Sequence, residues 1–345
     1  MSGKKLICGP MATISHRAFR NAVERFGGCD EYFTEMINAG SLLANSHFEK
    51  FYIDPAPVPE KIVWQLTGHD TLKMIEASRI LTALPGLGLD LNMGCSAPDI
   101  YRFGAGISWM IKPVEETKKL VQGVGNVIRE WNELHPESSK RFSVKLRLGD
   151  DDFTDEKFFS FTDMLVEEGV QLLTLHPRTK KEKLSRLPRY HYAEDLKQRY
   201  GERIKVYVNG NIKDKNSFDA ACKVCPSVDG VMISRASVSK PWIFYELKKS
   251  LCSEGQTPEQ TAPLEIDMEK LALDYIDDIQ LYQPQEFWKT RLQRFFTYYS
   301  ENFKFGHYAQ SQWINADFSS ENNEDLRARI REFFEKCPEE RVKVL

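Results

Sequence analysis

Cysteine is scarce and scattered: seven residues in 345, an odd number, which argues against a disulfide framework. Long apolar runs are missing too. No stretch approaches the ~20 consecutive apolar residues of a membrane-spanning helix. The basic start runs through only Leu6, Ile7 and Cys8 before Pro10, too few for the apolar core of a secretory signal, so a cytoplasmic location is expected. Charge of one sign is absent: Lys plus Arg number 47 against 50 Asp plus Glu, for a net charge of −3. That excludes a generic nucleic-acid coat but not a local basic face. Cys222 and Cys225 form a Cys-x-x-Cys pair without a second pair or His at ligand spacing, so no metal site is expected. What remains is a globular composition, 41% hydrophobic and 28% charged, without repeats or low-complexity tracts. The length suits one large domain, or one large and one small.

The first ~245 residues repeat a short apolar run, a turn and an amphipathic stretch. The runs are Leu6-Ile7-Cys8, Glu31-Tyr32-Phe33-Thr34, Ile62-Val63-Trp64-Gln65-Leu66 and Leu87-Gly88-Leu89-Asp90-Leu91. Phe142-Ser143-Val144-Lys145-Leu146, Leu172-Leu173-Thr174-Leu175, Ile204-Lys205-Val206-Tyr207-Val208 and Gly230-Val231-Met232-Ile233 follow. Helical patterns at 71–84, 114–134, 155–168 and 217–224 lie between them. Eight such units predict an α/β fold, a (β/α)8 TIM barrel. A doubly wound sheet competes, but Gly9-Pro10-Met11-Ala12-Thr13 after the first strand is not a dinucleotide fingerprint. Beyond a linker at 253–263, patterns at 267–281, 285–303 and 323–336 predict a C-terminal all-helical domain without strands, with a further helix through His307 and Trp313. The expected division is 1–245 and 246–345.

Chemistry in a parallel barrel sits where the strands finish. Those positions read Pro10-Met11-Ala12, Thr34-Glu35-Met36, Gln65, Asn92-Met93-Gly94-Cys95, Lys145-Leu146-Arg147, His176-Pro177-Arg178, Asn209-Gly210-Asn211 and Ser234-Arg235. Turn preference accounts for Asn-Gly, but Gln65, Lys145 and His176 continue the strand alternation. An inward Lys is costly without a partner. Barrel enzymes commonly hold phosphate between the last two loops. There Gly210 admits an anion to the backbone and Arg235 offers a charged donor. Lys145 and Gln65 on inner strands would then suit the electron-rich edge of a flavin.

In order, Pro10-Met11-Ala12, Arg17-Ala18-Phe19-Arg20, Thr34-Glu35-Met36, Gln65-Leu66-Thr67-Gly68, Asp90-Leu91-Asn92-Met93-Gly94-Cys95, Val144-Lys145-Leu146-Arg147, Leu175-His176-Pro177-Arg178-Thr179 and Val231-Met232-Ile233-Ser234-Arg235 resemble the tRNA-dihydrouridine synthases. The resemblance covers about residues 5–245, and the C-terminal segment is similar in size and position to that family's second domain. It implies an FMN barrel that reduces the C5–C6 bond of selected tRNA uridines. NADPH would reduce the flavin, and hydride would pass from flavin N5 to uracil C6. Cys95 matches the family's catalytic cysteine and would protonate C5 from the opposite face; a thiol with a pKa of ~8.5 remains a proton donor at neutral pH.

By position, Pro10, Met11, Ala12, Gln65, Lys145, His176, Asn209, Gly210, Asn211, Ser234 and Arg235 carry over as FMN contacts. Asn92 and Arg147 would face the uracil with Glu35 close by, and Arg178 and Lys180 would meet tRNA phosphates. Four places depart from the family pattern: Ser96-Ala97-Pro98 after the cysteine, the thinned Gly-rich run Phe103-Gly104-Ala105-Gly106-Ile107-Ser108-Trp109, Pro177, and Ser234 in place of Gly. The basic tract 178–189 and the helical domain suit a large anionic partner, tRNA, held by a monomer. Among the helical residues Trp288, Lys289, Arg291, Arg294, Tyr298, Tyr299 and Lys304, the basic ones are candidate tRNA contacts. The pattern around 291–299 and 323–334 is similar to bacterial members acting on U16. The alternatives are a flavin barrel reducing a free pyrimidine or enone, and a non-catalytic RNA-binding protein.

Overall fold

Apolar runs rich in Val, Ile, Leu and aromatics suit a buried parallel ladder, and each one read above forms a strand. The computed structural model describes residues 3–182, 185–251, 263–320 and 322–345. Eight strands run parallel: β1 (Lys5–Cys8), β2 (Glu31–Phe33), β3 (Ile62–Thr67), β4 (Gly88–Met93), β5 (Arg141–Leu146), β6 (Leu172–Leu175), β7 (Lys205–Asn209) and β8 (Gly230–Ile233). Neighbours in sequence pair in turn, and β8 pairs back onto β1, closing a TIM barrel. A two-residue strand, Ile37–Asn38, lies beside the end of β3. Between the strands run helices α1 (Arg17–Glu24), α2 (Thr71–Thr82), α3 (Val114–Leu134), α4 (Asp155–Glu167), α5 (His191–Tyr200) and α6 (Lys215–Val224). Side-chain caps from Asp70, Thr154 and Asp214 start α2, α4 and α6, satisfying backbone N–H groups that the first turn leaves unpaired.

Alternation along the strands sorts the side chains into two sets. Leu6, Tyr32, Trp64, Leu89, Val144, Leu173, Val206 and Val231 face the helices and join the main core. The other set fills the barrel in layers. At the floor, Glu31 is wholly buried and accepts from Arg141 (2.6 and 2.9 Å), Lys5 (2.8 Å) and Tyr207 (2.8 Å). Burial alone would raise the Glu31 carboxyl, but hydrogen bonds and charge from Arg141 and Lys5 hold it below its ordinary value. Above lies a separate apolar cluster of Ile7, Phe33, Val63, Leu172, Tyr207 and Met232. Register then sets Gln65 beside Asp90 and Asp90 beside Ser143. One step further along the strands, Asn92 sits beside Lys145. The interior therefore turns from apolar to polar toward the ends of the strands.

Past β8, helix α7 (Ile243–Leu251) crosses residue 245 and stays with the barrel: Lys248 Nζ donates to the Gly28 carbonyl at 3.0 Å. The linker expected at 253–263 lies, apart from Pro263, outside the described residues. Helices α8 (Met268–Tyr282), α9 (Gln285–Tyr299), α10 (Gly306–Ile314) and α11 (Glu324–Lys336) follow. They enclose an aromatic core in which Tyr275 stacks on Phe295 at 3.6 Å and Trp313 packs edge-on against Phe296 and Phe333. The expectation of an all-helical region is corrected in one respect. β9 (Glu265–Asp267) pairs antiparallel with β10 (Val342–Val344). Three-residue strands are too short to leave a period-two signal.

Candidate active site

A cavity of about 560 Å³ opens at the ends of the barrel strands. Its walls bring together Pro10 and Met11 after β1, Lys145 of β5 and Arg147 just beyond it, His176 and Arg178 after β6, Asn209 at the end of β7 with Gly210 and Asn211 after it, and Ser234 and Arg235 after β8. Nine of the eleven residues expected at a flavin thus line one space. Gly210 has φ +121°, and a Cβ there would lie 2.8 Å from the His176 ring. Only glycine lets this backbone lie so close to the imidazole.

The cavity is cationic. Burial and the neighbouring Arg147 push the Lys145 ammonium down to about 8, against the opposing pull of Asp90 and Cys95. Burial and the charges of Arg147, Lys145, Arg178 and Arg235 hold His176 well below its ordinary value, so its ring is neutral at physiological pH. Arg178 lies 2.8 Å from His176 Nε2. A guanidinium only donates, so Nε2 accepts and Nδ1 carries the proton.

Cys95 sits half-buried on the loop after β4. Its backbone N–H donates to Asn92 Oδ1 at 2.9 Å, and its carbonyl accepts from the Ile107 N–H at 3.0 Å. Gly106 has φ +61°, and a Cβ there would collide with that carbonyl. Arg147 Nε donates to the Gly94 carbonyl at 2.9 Å, placing its guanidinium beside the same loop. Arg147 thereby joins the thiol loop to the cavity wall.

Other expected contacts stand elsewhere. Gln65 is wholly buried below the cavity, its amide engaged by Asp90 (2.8 Å) and Asn92 (2.9 Å). Asn92 spends its own amide on Gln65 and the Cys95 loop. Ala12 turns away from the cavity into a groove of about 550 Å³ between the barrel mouth and α9, shared with Thr13, Thr290, Gln293, Arg294 and Thr297. Arg178, expected at tRNA phosphates, is 1% exposed, bonded to His176 and the Arg186 carbonyl, and walls the cavity instead. Lys180 pairs with Asp150 at 3.0 Å and lies over the Tyr101 ring at 3.4 Å.

Glu35, expected near the uracil, closes a clasp between barrel and helices. Its Oε1 meets Arg291 Nη1 from α9 at 2.9 Å, and its Oε2 accepts from the Thr13 N–H at 2.6 Å. Arg291 is 2% exposed and is no surface contact for tRNA. Burial pushes the Glu35 carboxyl up despite Arg291 and the Thr13 N–H. Arg291→Leu strands a buried carboxylate and is expected to cost about 3–5 kcal/mol, measured by denaturant unfolding. Glu35→Gln/Arg291→Leu should recover most of that loss; an equal loss in single and double variants would refute the ionic clasp.

On the helical wall of the cavity stand Tyr298, Glu301 and Asn302; sequence reading singled out Tyr298 without giving it a role and missed the other two. Asn302 Nδ2 donates to the Ser239 carbonyl at 2.6 Å, a contact across 63 residues that no local motif encodes. Asp90, an acid inside an apolar strand, was legible but assigned no role. Among the described residues no His, Cys, Asp and Glu gather in a group able to hold a metal ion, and no helix is long and apolar enough to cross a membrane.

The sequence model of the family described as Dihydrouridine synthase matches residues 6–335. The chain is 29% identical over 248 residues to the "Probable tRNA-dihydrouridine synthase" of Aquifex aeolicus, covering 71% of this chain and 73% of that protein. It is 26% identical over 287 residues to "tRNA-dihydrouridine synthase B" of Pseudomonas aeruginosa, covering 82% and 79%. Among solved structures, the old yellow enzyme homologue of Zymomonas mobilis superposes with a TM-score of 0.47 at 11% identity, covering 74% of this chain and 94% of that one. With a family match that runs from β1 into α11, this chain is an enzyme of the tRNA-dihydrouridine synthase family.

Proposed function

We propose that this protein reduces selected uridines of tRNA to 5,6-dihydrouridine, with FMN as its flavin and NADPH as electron donor. The observation that carries the reading is the cavity wall. Lys145, Arg147, Arg178 and Arg235 converge on one space, and none of the four is ion-paired among the described residues. Like charges gathered in a low-dielectric cleft favour an anionic occupant. The β7 and β8 loops, with Gly210 bare of a side chain and Ser234 and Arg235 as donors, suit its phosphate. Lys145 and His176 suit its ring. A bound flavin would supply hydride to uracil C6.

The chain's own residues then handle the proton. Hydride at C6 leaves enolate-like charge at C5, and the Cys95 thiol on the mouth loop holds the proton that quenches it. Arg147, fixed by the Gly94 and Thr179 carbonyls, offers its charge to a uracil carbonyl. A base must leave its stack to reach this depth. The groove between barrel and α9, rimmed by Arg294, would take the flanking RNA by shape and phosphate rather than by sequence. In this reading the barrel together with α7, to residue 251, forms the catalytic part and the helices from α8 onward hold tRNA, as a cytosolic monomer.

Dihydrouridine mapping in tRNA from cells with and without the gene tests the proposal. One or more positions should revert to uridine in the deletion and be restored by the purified protein with NADPH. Unchanged dihydrouridine, together with turnover of free uracil derivatives, would favour a small-molecule reductase.

A further inference from the structure

One buried acid has no part in the chemistry above. Asp90 lies wholly inside the barrel, one layer beneath the cavity. Its Oδ1 accepts from Ser143 Oγ at 2.7 Å and its Oδ2 from Gln65 Nε2 at 2.8 Å. Gln65 Oε1 accepts from Asn92 Nδ2 at 2.9 Å. Asn92 Oδ1 accepts from the N–H groups of Cys95 at 2.9 Å and Gly94 at 3.3 Å. Four elements of chemistry thus form one chain: a carboxylate, two primary amides and the backbone of the thiol loop.

The direction of this chain is dictated from its buried end. A carboxylate only accepts, so Gln65 must turn its NH2 toward Asp90 and its carbonyl toward Asn92. Asn92 must in turn give its NH2 to Gln65, which leaves its carbonyl for the Cys95 N–H. Reversing either amide alone sets donor against donor or acceptor against acceptor, and Gln65 has no solvent contact to absorb the mismatch. A neutral acid lacks this authority. It can donate to Gln65, which permits the reversed chain and leaves an NH2 facing the Cys95 N–H.

We propose that Asp90 is a positioning residue: its negative charge sets the polarity of the Gln65–Asn92 relay and thereby holds the Cys95 loop in place at the cavity mouth. The proposal rests on the Cys95 reading only for what the thiol accomplishes; the relay itself stands on the hydrogen bonds. Acid should release the loop. Burial pushes the Asp90 carboxyl up to about 6, while Ser143 and Gln65 by hydrogen bonds, and Lys145 and Arg141 of β5 by charge, favour the ionised form. The charged state therefore prevails at neutral pH and is lost on acidification through that value.

The test is the rate at which iodoacetamide alkylates Cys95, read by mass spectrometry on the peptide that carries it, in the full-length flavoprotein and its Asp90→Asn variant. Asn keeps the shape but can face Gln65 with either end. At about pH 8 the variant should react at least about threefold faster, because a loosened loop exposes the thiol. The variant-to-wild-type ratio should fall toward one as the pH drops through about 6, where the wild-type acid also becomes neutral. Taking the ratio at each pH cancels the thiol's own titration. A ratio of one at the higher pH, or one that does not change with pH, overturns the proposal.

If circular dichroism finds Asp90→Asn unfolded, Ser143→Ala replaces it. Losing a hydrogen bond to the charged form raises the acid's proton affinity, so the Ser143→Ala ratio should peak above one just above about pH 6 and return to one on either side. A flat ratio overturns the proposal equally. Dihydrouridine formation on tRNA, measured in the same preparations, separates the two readings. Altered alkylation in Asp90→Asn beside wild-type product from Cys95→Ala would remove Cys95 as proton donor and leave the relay standing.

Discussion

In Cys95→Ala, dihydrouridine formation on tRNA is expected to fall by about 10²–10⁴-fold, the usual contribution of a positioned general acid, while NADPH still reduces the bound flavin. The two halves of that outcome follow from separate parts of the site. In the proposed reading, reduction of the flavin would depend on the cavity walled by Lys145, His176, Gly210 and Arg235, whose lining does not include Cys95. Completion of the uridine would, in the same reading, depend on a proton delivered to C5 from the thiol loop. The bonds that hold residue 95 run through its backbone, to Asn92 and Ile107. Deleting the sulfur therefore leaves the loop intact, and the loss is chemical. Mass spectrometry of nucleosides from treated tRNA, alongside anaerobic flavin-reduction kinetics, measures both halves. Wild-type product from the variant would remove Cys95 as the acid.

Lys145→Ala should weaken flavin retention roughly 10–100-fold, since a hydrogen bond to a charged group is worth about 1.5–3 kcal/mol. The residue stands on β5 beside Asn92, facing into the barrel, and its charge is opposed by burial and by Arg147. An anionic ligand relieves that opposition. The pH dependence has a definite sign. The ammonium, set at about 8 in the free protein, is charged below that value and lost above it, so wild-type affinity for FMN declines as pH rises past 8. In Lys145→Ala the alkaline decline should disappear and affinity should stay low throughout. Fluorescence titration of FMN into the apoprotein across that range is the measurement. An unchanged affinity and an unchanged alkaline limb would place Lys145 outside the ring site.

Much of this is legible in the sequence alone. The eight strands were legible because a parallel strand covered on its outer face by helices needs a near-continuous apolar run, and Leu172-Leu173-Thr174-Leu175 or Ile62-Val63-Trp64 can hardly be anything else. Cavity residues were legible as polar breaks at the ends of those runs. Glu35, Gln65, Arg178 and Arg291 were legible as unusual residues but not as to what they meet. Glu35 and Arg291 are 256 residues apart. Their pairing depends on how α9 docks on the mouth, which no period or spacing records. The ribbon of β9 and β10 escaped for another reason: its strands span three residues each, shorter than the pattern that would reveal them.

The sequence by itself determined the barrel, the ring of polar groups at its mouth and the place of the thiol after β4, because each depends on local alternation and on the rule that parallel strands end on one face. Only the tertiary structure decided which of those groups are free to meet a ligand and which are consumed by one another. A side chain's chemistry is set by its residue type, but its availability is set by neighbours brought from distant parts of the chain. Gln65 and Lys145 read alike as polar positions on inner strands. Folding ties one to a buried acid and leaves the other, partly desolvated and without an ion-pair partner among the described residues, facing the space where an anion would sit.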